Sequence, residues 1–155
     1  MTPRPEPDIA FMRRVLSVLR GLSNQHEFPG MFWDQVVYRE VHYDRFIHTD
    51  DGVPTCETAM CFAGWVVELS PDIGWAYDAL TLRDNVRGTP DEEPVYLRAD
   101  LTTARDPETG QELLADEYAQ QRLGLTDRQA TALFDSHNTL DDLAEIIDRI
   151  ETGAL

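Results

Sequence analysis

Apolar residues return at helical spacing near the start of the chain: Ile9, Met12, Val15, Leu16 and Leu19 fall on one stripe. Asp8 is placed to cap that stripe, and Gly21 and Asn24 to end it, which predicts a helix over 8–22. A second, short helix is expected around Met31 to Tyr38, burying Phe32, Val36 and Trp33. From Arg39 to His48 the pattern fits a helix or an extended segment equally, and Asp50-Asp51-Gly52 marks a turn. Between Ala59 and Val67 no side chain is polar. A helix apolar all round is surrounded by protein, so the run predicts a buried central helix over about 57–69. Ala59, Ala63 and Gly64 would form its small-residue patch, where a neighbouring helix can come close.

Ser70-Pro71 stops that helix and opens another, expected to pass through Trp75 and Tyr77 to about Leu82. Residues 86–110 lose the helical pattern, punctuated by Gly88, Pro90, Pro94, Pro107 and Gly110. A small hairpin of Val95-Tyr96-Leu97 with Leu101-Thr102-Thr103, or an irregular excursion, is expected there, as the most mobile part of the chain. Three short helices follow. The first covers roughly 112–123 and ends at Gly124, and Thr126-Asp-Arg-Gln129 is a capping box for the second. Asn138 or Thr139 caps the third, whose Leu140, Leu143, Ile146, Ile147 and Ile150 form a stripe before Gly153. The pattern as a whole predicts a mainly α fold, one compact domain over 1–155 of about six helices, with 1–7 a flexible tail. Met60, Phe62, Trp65, Val66, Leu133, Phe134, Ile146 and Ile147 are the expected core.

Length and composition agree with one folded domain: 155 residues, 42% hydrophobic, three tryptophans. No stretch approaches the roughly 20 apolar residues that span a bilayer, and the polar, proline-rich start does not resemble a secretory signal. A cytoplasmic protein with reduced cysteines is the expectation. Net charge changes the picture more. It is −16, and residues 1–49 contribute none of it, their six arginines matching six acids; residues 50–155 set seven arginines against 23 acids. Such a surface repels nucleic acid phosphates and anionic membranes, and suits solubility or a basic partner. All 13 basic residues are arginine. Without a lysine amine there is no P-loop clamp, Schiff base or pyridoxal chemistry.

Two residue sets could carry chemistry. His42, His48, Cys56 and Cys61 fall within twenty residues, at spacings on the outer edge of those used by tetrahedral zinc. Against zinc, Cys61 sits inside an apolar run, and five helical residues rotate the two sulfurs about 140° apart. Plain core packing is the favoured reading, with no metal and no cofactor. A thiol at a helix N-terminus, Cys56, with His137 or His48 as base is the nucleophilic alternative, but no local signature supports it. Thr49-Asp50-Asp51-Gly52 lacks the spaced ligands of a calcium loop. The second set is acidic: Asp91, Glu92 and Glu93 on the excursion, and Asp141, Asp142, Glu145 and Asp148 on the last helix, where 141, 145 and 148 share a face. These are candidate contacts to a basic protein, or, less favoured, a mimic of the charge strip of nucleic acid. Direct DNA binding by the C-terminal helices is not expected, since Gln111 to Glu151 holds three arginines against ten acids.

At Cys56-Glu-Thr-Ala-Met-Cys-Phe-Ala-Gly64 the chain resembles a family of small uncharacterised proteins of actinobacteria and their phages, with the motif Cys-Gly-Thr-x-x-Cys-x-Ala-Gly. Leu123-Gly-Leu-Thr-x-x-Gln-Ala-x-x-Leu-Phe134 resembles that family's second block, and Met31-Phe-Trp33 extends the likeness upstream. Glu57 stands where the family has glycine. The resemblance implies a source and a common fold, and brings no established activity. The expected function is a non-enzymatic protein-binding module, a phage accessory protein acting on a host protein in the host cytoplasm; a zinc-binding or cysteine-dependent enzyme is the alternative.

Overall fold

The computed structural model describes residues 6–22, 31–35, 40–48, 54–75, 96–100 and 103–155. Along the chain these form α1 (Ile9–Gly21), β1 (Met31–Trp33), β2 (Glu40–His48), β3 (Pro54–Met60), α2 (Phe62–Glu68), β4 (Gly74–Trp75), β5 (Tyr96–Asp100), β6 (Thr103–Arg105), β7 (Glu112–Leu114), α3 (Ala115–Leu123), α4 (Asp127–Leu133) and α5 (Leu140–Glu151). The fold is therefore mixed α/β, and the expected all-helical bundle is corrected. Five helices are joined by a four-stranded sheet in the order β1-β3-β2-β5 and a three-stranded antiparallel sheet in the order β4-β6-β7.

The central helix is the main point of correction. The expected helix over 57–69 begins only at Phe62, because residues 54–60 run as a strand between β1 and β2. The apolar run is thus the end of a strand followed by seven residues of helix, and the small-residue patch is divided, Ala59 in β3 and Ala63 and Gly64 in α2. A short apolar run has no period of its own, so pairing with a distant strand decides its state. The buried centre itself is present: Phe62, Ala63, Gly64, Trp65, Val66 and Val67 are all buried.

Sheet pairing also displaces two other expected elements. Met31–Trp33 is a strand, parallel to β3, where a helix over 31–38 was expected; of the remainder, 36–39 lie outside the described residues. The segment over 39–48 resolves as the extended alternative. β5 pairs antiparallel with β2, and β6 with β7 and β4; of the hairpin expected from 95–97 with 101–103, residues 95, 101 and 102 lie outside the described residues, while Tyr96 and Leu97 pair with β2 and Thr103 with Leu114. The hairpin is instead Thr103–Arg105 with Glu112–Leu114. Its turn is held by Asp106, whose carboxylate accepts from the Glu108 and Thr109 amides, while Gly110 adopts φ 72°. Those strand residues displace the start of α3 from the expected 112 to Ala115. Residues 71–72 form a turn and 74–75 a strand, in place of the helix expected after Ser70; 76–82 lie outside the described residues, as does most of 86–102.

The helices on either side follow their local signals. Asp8 caps α1 by accepting from the Phe11 amide, and the predicted stripe of Met12, Val15, Leu16 and Leu19 is buried. α3 ends at left-handed Gly124, φ 66°. Thr126 and Gln129 exchange both bonds of a capping box at α4. Thr139 and Asp142 do the same at α5, making Thr139 the cap. One cluster gathers α1, α2, α3, α4 and α5 around Phe62 and Trp65. Six of the eight expected core residues are fully covered, and Phe134 and Ile146 pack against the cluster while partly exposed. A smaller cluster of Val67, Ala104 and Ala115, with Ile73, Trp75 and Tyr118 against it, seats the three-stranded sheet on α2 and α3. No helix among the described residues is long and apolar enough to cross a membrane.

Two polar devices fasten this core. The start of α1 is clamped to the end of α3: the Asp8 amide donates to the Leu123 carbonyl at 2.9 Å, and Arg122 pairs with Asp8 at 2.9 Å while its guanidinium lies 4.3 Å from the centre of the Phe11 ring. The Arg122 guanidinium and the Phe11 amide hold the Asp8 carboxyl below its ordinary value of 3.8. A lowered pKa gives stability that is present above 3.8 and lost as the pH falls through the folded value. Asp8→Ala is expected to cost about 1–2 kcal/mol at pH 7, mostly from the lost cap, since a half-exposed pair adds little. Denaturation across acid pH checks it: the gap between variant and wild type should narrow below pH 3.8.

The second device is Gln35, which is buried. Its Oε1 accepts from the Phe62 amide and the Trp33 indole, both at 3.1 Å, and its Nε2 donates to the Leu133 and Asp135 carbonyls, also at 3.1 Å. All four hydrogen-bonding positions of the amide are used, joining the end of β1, the start of α2 and the end of α4.

Candidate functional site

Of the two residue sets singled out in the sequence, the structure places His42 and His48 in β2, Cys56 in β3, Cys61 at the start of α2, and Asp141, Asp142, Glu145 and Asp148 on α5. Tyr43 pairs with Cys56 and His42 with Glu57, so His42 and Cys56 stand at adjacent rungs of the β2–β3 ladder. Trp33 pairs with Met60, and both meet the helical core. His48 pairs with Pro54 beyond a register shift. Cys61 follows β3 as the N-cap of α2 and is buried in the helical core. No metal-holding group of three or more His, Cys, Asp or Glu occurs among the described residues.

The expected thiol activation is likewise corrected in position. Cys56 is in mid-strand, and Cys61 is the cysteine at the helix start. Burial pushes the Cys61 thiol up to about 11, against the smaller opposing pull of the Gly64 and Ala63 amides. A neutral, enclosed thiol is a poor nucleophile. In a Cys56→Ser background, Cys61 is therefore expected to react with a thiol reagent at pH 7 only as fast as the protein opens; rapid native-state labelling would contradict its burial.

The acidic set is redistributed as well. Asp91, Glu92 and Glu93 lie outside the described residues. On α5, Asp142 is turned back onto Thr139 as half of the capping box. Arg13 bonds Asp148 at 2.9 Å and also bonds Glu151, and Arg20 lies 4.0 Å from Asp141. Arg13 and Arg20 are seven apart on α1, as Asp141 and Asp148 are on α5, so two antiparallel helices meet along a charge-matched seam. Glu145, also exposed on that face, has no ion pair among the described residues. The α1 arginines, invisible to a reading of α5 alone, offset much of its charge.

The acids that do converge are elsewhere. Between α3 and α4 lies a groove of about 530 Å³. Asp116, Glu117 and Gln120 line it from α3; Asp127, Ala130, Thr131 and Phe134 line it from α4 and its C-cap; Asp135, Ser136 and His137 close one end. Residues 127, 130, 131 and 134 recur at intervals of three, four and seven, which is one helix face. Among the described residues, four carboxylates and no arginine line the groove, with Ala130 and Phe134 as its apolar part.

Two of the carboxylates are held in place through one oxygen. Asp127 Oδ1 accepts from Gln120 Nε2 at 2.8 Å. Asp135 Oδ1 accepts from the His137 amide at 2.8 Å and contacts the His137 ring at 2.9 Å. The His137 amide first, and then its ring, hold the Asp135 carboxyl below its ordinary value, so it remains ionised at neutral pH. Among the described residues, neither Oδ2 is bonded. At the end of α4, Asn138 donates to the Ala132 and Leu133 carbonyls, which fixes the turn that carries Asp135 and His137. A second hollow, lined by Pro7, Thr126, Asp127, Arg128, Gln129, Ile150, Gly153 and Leu155, carries one acid and one arginine and so has little net field.

Sequence reading had placed Phe134 in the core and passed over Asp116, Glu117, Asp127 and Asp135, which lie on two helices and a turn. The one local signal was the mixed face of α4, where acid, small and aromatic residues share a stripe. Comparison with protein families, with curated proteins and with solved structures finds no match to the chain.

Proposed function

We propose that the chain is a non-enzymatic protein-binding module that receives a positively charged segment of a partner protein in the groove between α3 and α4. The observation that carries this reading is the convergence of Asp116, Glu117, Asp127 and Asp135 around a partly apolar groove that no arginine lines among the described residues. Charges of one sign in a concave site focus their field and raise the encounter rate with an oppositely charged partner. The net charge of −16 adds long-range attraction of the same sign. The buried, protonated Cys61 supports binding over thiol catalysis. The resemblance of the Cys56–Gly64 block to proteins of actinobacteria and their phages points to a host cytoplasmic protein as the partner, engaged by a phage accessory protein.

Affinity capture from an actinobacterial lysate tests the reading when it is run with a groove variant beside the native chain. Thr131 is exposed in the groove, and Thr131→Arg would place a cation where the partner's belongs. A partner retained by the native chain should be lost on Thr131→Arg and eluted between low and physiological salt. A partner held equally by both proteins would refute the groove as its seat.

A further inference from the structure

We infer that the group recognised in the groove is an arginine side chain, in preference to lysine. This rests on the reading of the groove as a docking surface for a basic segment, and adds what that segment must present. The groove lining combines Phe134, which is partly exposed, with the carboxylates of Asp116, Glu117, Asp127 and Asp135. A guanidinium is planar, stacks on an aromatic ring, and offers several N–H donors in a fixed fork. An ammonium is a compact, strongly hydrated charge that exploits neither the ring nor a pair of preset acceptors as fully. Asp127 and Asp135 also line the groove, and each is fixed through Oδ1 while no bond to its Oδ2 is made among the described residues. Acceptors held before binding favour the donor whose own geometry is rigid, because less freedom is lost on both sides. Charge complementarity selects a cation, and the ring with its anchored acceptors selects the planar one.

Octa-arginine and octa-lysine carry the same charge and make the test direct, with affinities measured by calorimetry on the full chain at low salt. The native protein should bind octa-arginine at least about threefold more tightly, the increment of one exposed cation–π contact. Phe134→Leu, which keeps the apolar packing, should bring the two affinities together. Thr131→Arg, at an exposed position, should weaken both peptides and does not depend on Phe134→Leu folding. Equal affinities in the native protein, both weakened by Thr131→Arg, would overturn the arginine preference and leave the docking groove standing. Failure of either peptide to bind, or binding that Thr131→Arg leaves unchanged, would overturn both.

Discussion

Gln35→Leu is expected to lower stability by about 2–6 kcal/mol, although the side chain it introduces is close in size. Leucine fills the space and removes every hydrogen bond that Gln35 makes. The Phe62 amide and the Leu133 carbonyl then remain in buried surroundings without this partner. Each buried polar group left unsatisfied costs about 1–3 kcal/mol, which sets the range. The Trp33 indole and Asp135 carbonyl are less enclosed, so water can replace part of what they lose. Gln35→Glu provides a sharper comparison. Its carboxylate would still accept from Phe62 and Trp33 but would face the Leu133 and Asp135 carbonyls with a negative charge. Burial and those carbonyls would raise its folded pKa above the unfolded value near 4.3. The protonated form, which can donate, is the better fit. The deficit of Gln35→Glu relative to wild type should therefore be smallest below about pH 4 and grow as the pH rises through the folded pKa. Urea denaturation followed by circular dichroism measures both variants, and a loss below about 1 kcal/mol for Gln35→Leu would contradict the four-bond geometry.

Trp65→Ala should cost about 3–5 kcal/mol, by deletion of the largest fully buried side chain in the molecule's described core. Trp65 sits in the middle of α2, which belongs to the cluster joined by α1, α3, α4 and α5. Several elements would have to close in together to fill the space, and close-packed interiors relax only in part. A small domain has about 5–15 kcal/mol of stability in all, so the variant should melt far below wild type or lose cooperative unfolding. Trp65→Phe, which keeps much of the volume, should be markedly milder. A melting temperature unchanged in Trp65→Ala would mean that α2 is not the centre of the fold.

Both predictions concern the same junction, and it explains why the groove is well placed. Gln35 and Asn138 bind carbonyls at the end of α4, and Gln35 links that end to the start of α2. The turn bearing Asp135 and His137 is thereby attached to the core through hydrogen bonds and not through its own apolar contacts. Damage at Gln35 should therefore loosen the groove as well as the fold, whereas Thr131→Arg acts on the groove alone.

The sequence by itself determined the helices whose information is local. α1, α4 and α5 carry a cap residue and an apolar stripe within a dozen residues, and α3 carries its glycine stop, so each was legible with its boundary near the observed one. The buried centre at Phe62 to Val67 was legible too, because six apolar residues without a polar face have nowhere to go but inside. Tertiary structure alone decided the sheets. Tyr96–Asp100 lies more than fifty residues from the strand Glu40–His48 that it pairs with, and no local spacing announces such a partner. It also decided that residues 54–60 leave the apolar run as a strand, and that His42 and Cys56 stand at adjacent rungs of one ladder. The same holds for charge. The sequence established how much negative charge the chain carries, but four helices had to pack before Arg13 and Arg20 could offset the α5 acids and leave the acids of α3 and α4 facing a groove. Period and capping act within a few residues, while strand register and surface potential depend on groups that only the folded chain brings together.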